Sequence, residues 1–206
     1  FIVFGFSALL LFGNLQIALK SLKKPHLLIG PTTEDVRPMV LEQSQLRLII
    51  KVVSGVVALF LAFFASSQWL VWLKSSHAVP FGKTDPILGQ DIAFYVFQLP
   101  ALELVRTLVL LLIVVSLIGS AVLYFLSENL NIEPDEGLSI HPIAKRHLSF
   151  LGAAFFLLMA FGAYLDMHRL LLSPGGVIHG ASYTDVHAEL PALRVLIGAS
   201  IFAAVL

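Results

Sequence analysis

Five long apolar runs constrain this chain more than any other feature. They cover about residues 1–19, 46–73, 102–126, 148–165 and 193–206. A helix needs about 20 apolar residues, rising about 1.5 Å each, to cross the hydrocarbon core of a bilayer. Hydrophobic residues make up 58% of the chain and charged residues 13%, against roughly 45–50% and about 25% in soluble domains. Inside lipid every backbone polar group must be paired within its own segment, and these runs lack the alternation of barrel strands. The expected fold is all-α: a polytopic transmembrane helix bundle of about five spans, forming a single domain over residues 1–206. Its first partner is the lipid bilayer.

Charge sets the expected orientation. Lys20, Lys23, Lys24 and Arg37 gather between the first two runs, with Arg47 and Lys51 just inside the second, so this segment is expected on the cytoplasmic side of a bacterial inner membrane. Thr33-Glu34-Asp35 has the residue types of a helix cap, and Pro38 suits an early helical position. A helix from about Pro38 is therefore expected to run straight into the second span. Alternation puts 74–100 and 166–191 outside, and the acidic stretch before Lys145 and Arg146 inside. The net charge is zero, which gives no support to a nucleic-acid partner. With no cysteine, thiol catalysis and cysteine metal sites are excluded. The chain starts at Phe1 and stops at Leu206 inside apolar runs, so it reads as a fragment of a longer protein. Residues 1–19 lack a basic leader and a small-residue cleavage site, and read as a first span rather than a signal peptide.

Both outer loops close on the same four letters. Leu-Pro-Ala-Leu occurs at 99–102 and again at 190–193, each time just before an apolar run. A proline there suits the first turn of a helix. The pattern predicts two helix–loop–helix hairpins arranged as parallel repeats. Between Asp91 and Gln98, the aromatic stretch Ile92 to Phe97 is too short to span and is expected to lie in the interface or pack on the bundle. Asp85 and Asp91 flank turn-forming residues and are expected to shape that loop.

Two passages resemble a known family. One runs from Phe81-Gly82-Lys83-Thr84-Asp85-Pro86 to Gln98-Leu99-Pro100; the other runs from Gly180-Ala181-Ser182-Tyr183-Thr184-Asp185 to Leu190-Pro191-Ala192-Leu193. Together they resemble the uncharacterised bacterial integral membrane protein family numbered 0182. That resemblance implies a multi-spanning inner-membrane protein with a large extracytoplasmic region beyond the membrane part. It implies no catalytic residue.

Candidate chemistry lies in Asp185, His187 and Glu189, spaced i, i+2, i+4. On an extended strand they share a face, and with Asp166, His168 and His179 in the same loop they form a possible site for zinc, manganese or another divalent cation. The plainer reading is a polar loop that bonds to itself and caps the fifth helix. Glu103 and Arg106 sit one turn apart and are expected to pair or to snorkel. Three functions follow. The first is a membrane base for an extracytoplasmic domain or for partner membrane or extracytoplasmic proteins. The second is a transporter or channel subunit, disfavoured by the lack of an ionisable residue at any span centre. The third is a metal-dependent membrane enzyme working at the outer face.

Overall fold

The structure is a computed structural model describing residues 1–20, 26–29, 39–127, 130–133, 137–172 and 180–206. It is an all-α bundle built on long apolar helices. These are α1 (Ile2–Lys20), α2 (Gln43–Ser67), α4 (Leu99–Leu126), α5 (Pro142–Arg169) and α6 (Leu190–Val205), with a short α3 (Trp69–Ser76) after α2. Two small antiparallel hairpins join them, β1 (His26–Ile29) with β2 (Met39–Glu42) and β3 (Leu130–Glu133) with β4 (Gly137–Ile140). Among the described residues, five helices are long and apolar enough to cross a membrane, by length and composition. Their outward faces carry large apolar side chains: Phe60, Phe63, Phe150 and Phe202 are each at least 66% exposed. A water-facing monomer rarely exposes so much apolar surface.

The expected spans are present, with altered ends. Pro38 lies outside the described residues, as does Thr33-Glu34-Asp35. Residues 39–42 pair as a strand with 26–29, and the helix starts at Gln43. Local bonds explain the start. The Gln45 side chain accepts from the Glu42 backbone N–H at 3.0 Å, and the Ser44 hydroxyl donates to the Glu42 carboxylate. This is the reach-back half of a capping box. The helical run also breaks at Gln68 (φ −95°, ψ 24°). Gln68 N–H bonds Ala65 C=O in a tighter turn, and the Trp72 indole N–H donates to that same carbonyl. The fourth helix extends well beyond 148–165 at both ends.

The described residues fall into two compact units. The first holds residues 1–64 and 112–152. On α2 the buried positions Leu46, Ile50, Ser54, Ala58 and Leu61 recur every three or four residues, the stripe of a helix packed on one side. Leu46 and Ile50 pack with Leu15 and Leu19 of α1. Gly119 lies against the Leu15 side chain, whose methyl a Cβ there would push aside. Small residues permit this close approach of helices.

A polar chain crosses this apolar packing. The Ser120 hydroxyl donates to Asn14 Oδ1 at 2.8 Å, and Asn14 Nδ2 meets His147 Nε2 at 3.1 Å. His147 Nδ1 meets the Tyr124 hydroxyl at 2.8 Å. Because the Asn14 amide donates, Nε2 accepts and the imidazole proton sits on Nδ1, directed at Tyr124. Ser120 and Tyr124 are fully buried. Buried polar groups in such a network are costly to orphan.

The second unit holds residues 65–111 and 153–206. Its core joins Tyr95, Leu99 and Leu165, with Phe161 and Leu171 packed on them. Replacing Tyr124 by Phe strands the His147 Nδ1–H in the first unit. The expected loss is about 1–2 kcal/mol, read as a lower unfolding temperature of the detergent-solubilised protein.

Candidate functional site

Residues 81–91 form a hairpin held by two carboxylates. Asp85 Oδ1 accepts from the N–H groups of Ile87 (2.9 Å) and Leu88 (2.6 Å), and Oδ2 from Gln90 N–H (2.8 Å) and the Tyr95 hydroxyl (2.7 Å). Asp91 accepts from Phe81, Gly82 and Ala93 N–H groups at 3.0, 2.9 and 2.7 Å. Thr84 and Asp91 bridge, and Gly82 and Gly89 take left-handed backbone angles of 70° and 72° that a glycine adopts without strain. Desolvation alone raises the Asp85 pKa. The bonds from Leu88, Tyr95, Gln90 and Ile87 outweigh it and hold the carboxyl at about 2. Bonds from Phe81 and Ala93 likewise hold Asp91 below its ordinary value. Both acids shape the loop, as their turn-forming neighbours led one to expect.

The repeated Leu-Pro-Ala-Leu step has the same conformation at both places. Each is preceded by a five-residue π-turn, Phe94–Gln98 and Asp185–Glu189. Leu99 N–H bonds Phe94 C=O, and Leu190 N–H bonds Asp185 C=O. Each helical run begins after a capping residue nine positions ahead of its proline, Asp91 for Pro100 and Ser182 for Pro191. The prolines therefore sit inside a helical run rather than at its first turn. Proline cannot donate to the carbonyl four residues back and its ring crowds it, and a wider turn relieves both.

That conformation redirects the proposed metal trio. Asp185, Val186, His187, Ala188 and Glu189 are helical, so the strand that puts their side chains on one face is not formed. Asp185 and Ser182 make a reciprocal capping box, with Ser182 N–H donating to Asp185 Oδ2 at 2.8 Å and Asp185 N–H to Ser182 Oγ at 3.2 Å. The spacing Ser-x-x-Asp announced this box, and it outranks the alternate spacing as a signal. His187 Nδ1 bonds Tyr183 C=O at 3.0 Å and its ring stacks on Tyr183 at 3.9 Å. Glu189 turns to a cleft described below. Asp166 and His168 lie in the last turns of α5, and His179 lies outside the described residues. Among the described residues, no three His, Asp or Glu side chains are gathered to hold a metal ion.

The start of α4, the end of α5 and the start of α6 enclose a cleft of about 680 Å³. Leu99, Pro100, Ala192 and Leu193 supply apolar wall; Glu103, Asp166, Arg169 and Glu189 supply charge. Glu103 and Arg106 do not pair with each other. Each faces α5, with Arg106 Nη1 3.8 Å from Asp166 Oδ1 and Arg169 Nε 3.7 Å from Glu103 Oε1. The Arg106 guanidinium lies in the space left by Gly162. Beside this cleft His168 is buried, with the rings of Phe94, Tyr95 and Tyr164 centred 5.0, 6.0 and 4.7 Å away, and its Nδ1 bonds Tyr164 C=O. Tyr95 joins the two features, since its hydroxyl binds Asp85 while its side chain lines the cleft. Neither the cleft nor the Asn14–His147 chain is readable from spacing, because their members come from distant segments.

Comparison with known proteins gives a family. The model of the uncharacterised protein family UPF0182 matches residues 1–206. A UPF0182 protein of Cupriavidus necator is 42% identical over 74% of this chain, and one of Geobacter sp. strain M21 is 36% identical over 72%; each match covers 17% of the relative. One of Geobacter sulfurreducens is 36% identical over 84% of this chain and 20% of the relative. The chain spans a fifth or less of these relatives. No solved structure matches it.

The Asp85 bonds carry a pH signature. A carboxyl held at about 2 rather than 3.8 contributes stability fully above pH 4, and loses it as pH falls through 2. The contribution is about 1–2 kcal/mol once solvent screening is allowed for. Asp85→Asn is expected to lose that amount at neutral pH and to flatten the decline between pH 4 and 2. Unfolding followed by the fluorescence of Trp69 and Trp72 measures both.

Proposed function

This chain belongs to the uncharacterised protein family UPF0182, and from that premise we propose that it is a multi-pass base in the bacterial inner membrane that holds an extracytoplasmic region or partner protein. The observation that carries this reading is the 81–91 hairpin. Its two acids are spent on bracing their own loop, and beside the exposed Lys83 and Thr84 the hairpin and its approach present large apolar side chains outward: Val79 is 66% exposed, Phe81 51% and Ile87 39%. Tyr183 of the second loop is 78% exposed. A braced loop with an outward apolar face suits a docking platform better than a reaction centre. Matches that cover a fifth or less of the relatives leave ample chain to be held there.

The transporter or channel reading has one observation in its favour, the Ser120–Asn14–His147–Tyr124 chain among apolar helices. Polar residues at such positions often line a path. Here each is bonded to the next, which suits helix packing equally well. The enzyme reading lacks a gathered ligand set among the described residues.

Two measurements on the full-length protein test the base reading. In a cysteine-free background, Ser76→Cys is expected to react with an impermeant maleimide in intact cells, and Ser44→Cys only after permeabilisation. A photo-crosslinking side chain at position 81 or 183 is expected to capture the protein's own remaining chain or a specific envelope protein. Crosslinks to lipid alone at both positions refute the base.

A further inference from the structure

We propose that the cleft between the ends of α4, α5 and α6 binds the headgroup of a phospholipid carrying a primary ammonium beside its phosphate. The inference rests on the reading that these helices span a membrane, and it is independent of the base role. The cleft is enclosed by helix ends, Leu99 to Glu103 of α4, Asp166 to Leu172 after and within the end of α5, and Glu189 to Leu193 entering α6. In a spanning bundle, helix ends lie at the depth of headgroups. At about 680 Å³ the space is in the range of small-ligand sites.

Its chemistry selects the ligand. Three carboxylates, Glu103, Asp166 and Glu189, line it against one cation, Arg169. Arg106 behind Asp166 still leaves an excess of one negative charge. Glu189 is exposed, and among the described residues no cation pairs with it. The two ion pairs stand at 3.8 and 3.7 Å, outside the 2.7–2.9 Å of a charge-assisted hydrogen bond. Their hydrogen-bonding capacity is unspent. The Arg169 side chain is 67% exposed, so it can swing from Glu103 to an incoming phosphate. An ammonium then answers the surplus carboxylates, led by Glu189. Leu99, Pro100, Ala192 and Leu193 offer an apolar wall on which the first methylenes of an acyl chain lie. A lipid with only an anionic headgroup meets the three carboxylates with nothing to offset them. Among the described residues a divalent cation finds no set of three gathered ligands.

The test uses the full-length protein extracted from nanodiscs made of equal parts phosphatidylethanolamine and phosphatidylglycerol with identical acyl chains. Native mass spectrometry reads the lipid that stays bound. The expected result is retention of the ethanolamine lipid about fivefold over the glycerol lipid, the ratio of about 1 kcal/mol of selectivity. Glu189→Gln, at an exposed position, is expected to bring the ratio to within twofold of unity. Ala192→Trp, which fills the cleft without touching its charges, is expected to abolish retention of both. Unfolding temperatures near that of the parent confirm that both variants fold. Equal retention of the two lipids by the parent, or an unchanged ratio in Glu189→Gln, overturns the inference. So does displacement by soluble glycerophosphoethanolamine at the lipid's own concentration, which marks a site for a soluble amine. The Ser76 and Ser44 labelling described above separates the two failures. Wrong labelling rejects the spanning reading, whereas correct labelling without lipid preference rejects this site alone.

Discussion

A helix whose outer face is Leu, Phe and Val has nowhere outside itself to satisfy a polar group. That constraint organises each unit. In the first, Asn14 on α1 finds Ser120 and His147, and His147 finds Tyr124, so a carboxamide, an imidazole and two hydroxyls are paired inside apolar packing. In the second, Arg106 and Arg169 face acids on the neighbouring helix instead of the apolar surface. An unpaired charge or amide in such surroundings costs several kcal/mol, so the partners of these few side chains fix which helix faces meet.

The entry of a helix into its apolar run is handled twice in the same way. Asp91 and Ser182 cap, five residues widen into a π-turn, and a proline follows at the ninth position. The wider turn moves the preceding side chains off the ordinary helical rows. Tyr95 can then lie under the 81–91 hairpin, bond Asp85, and still reach the cleft. Glu189, at the matching place in the second copy plus three residues, is left facing that cleft as well. A backbone adjustment forced by proline thereby supplies two of the side chains that line the candidate site.

Much of the fold was legible because its signals are local. Apolar length gave the five helices, and turn chemistry gave the roles of Asp85 and Asp91. The repeat of Leu-Pro-Ala-Leu marked two equivalent helix entries, although it concealed that each helical run starts eight residues earlier than its proline. The Asp185, His187 and Glu189 trio is not gathered among the described residues, for a physical reason. Alternate spacing gathers side chains only on a strand, and the Ser182–Asp185 box commits that stretch to helix.

Sequence by itself determined the all-α class of the protein, its five long helices and the turn roles of Asp85 and Asp91, because length, hydropathy and capping act over a few neighbouring residues. Tertiary structure alone decided which polar groups meet. The bonds of Asn14 reach across 106 and 133 residues to Ser120 and His147, and the cleft draws its charges from three helices. Such pairings depend on how helices rotate against one another. That rotation is set by the sum of many small packing contacts, and no single spacing along the chain encodes it.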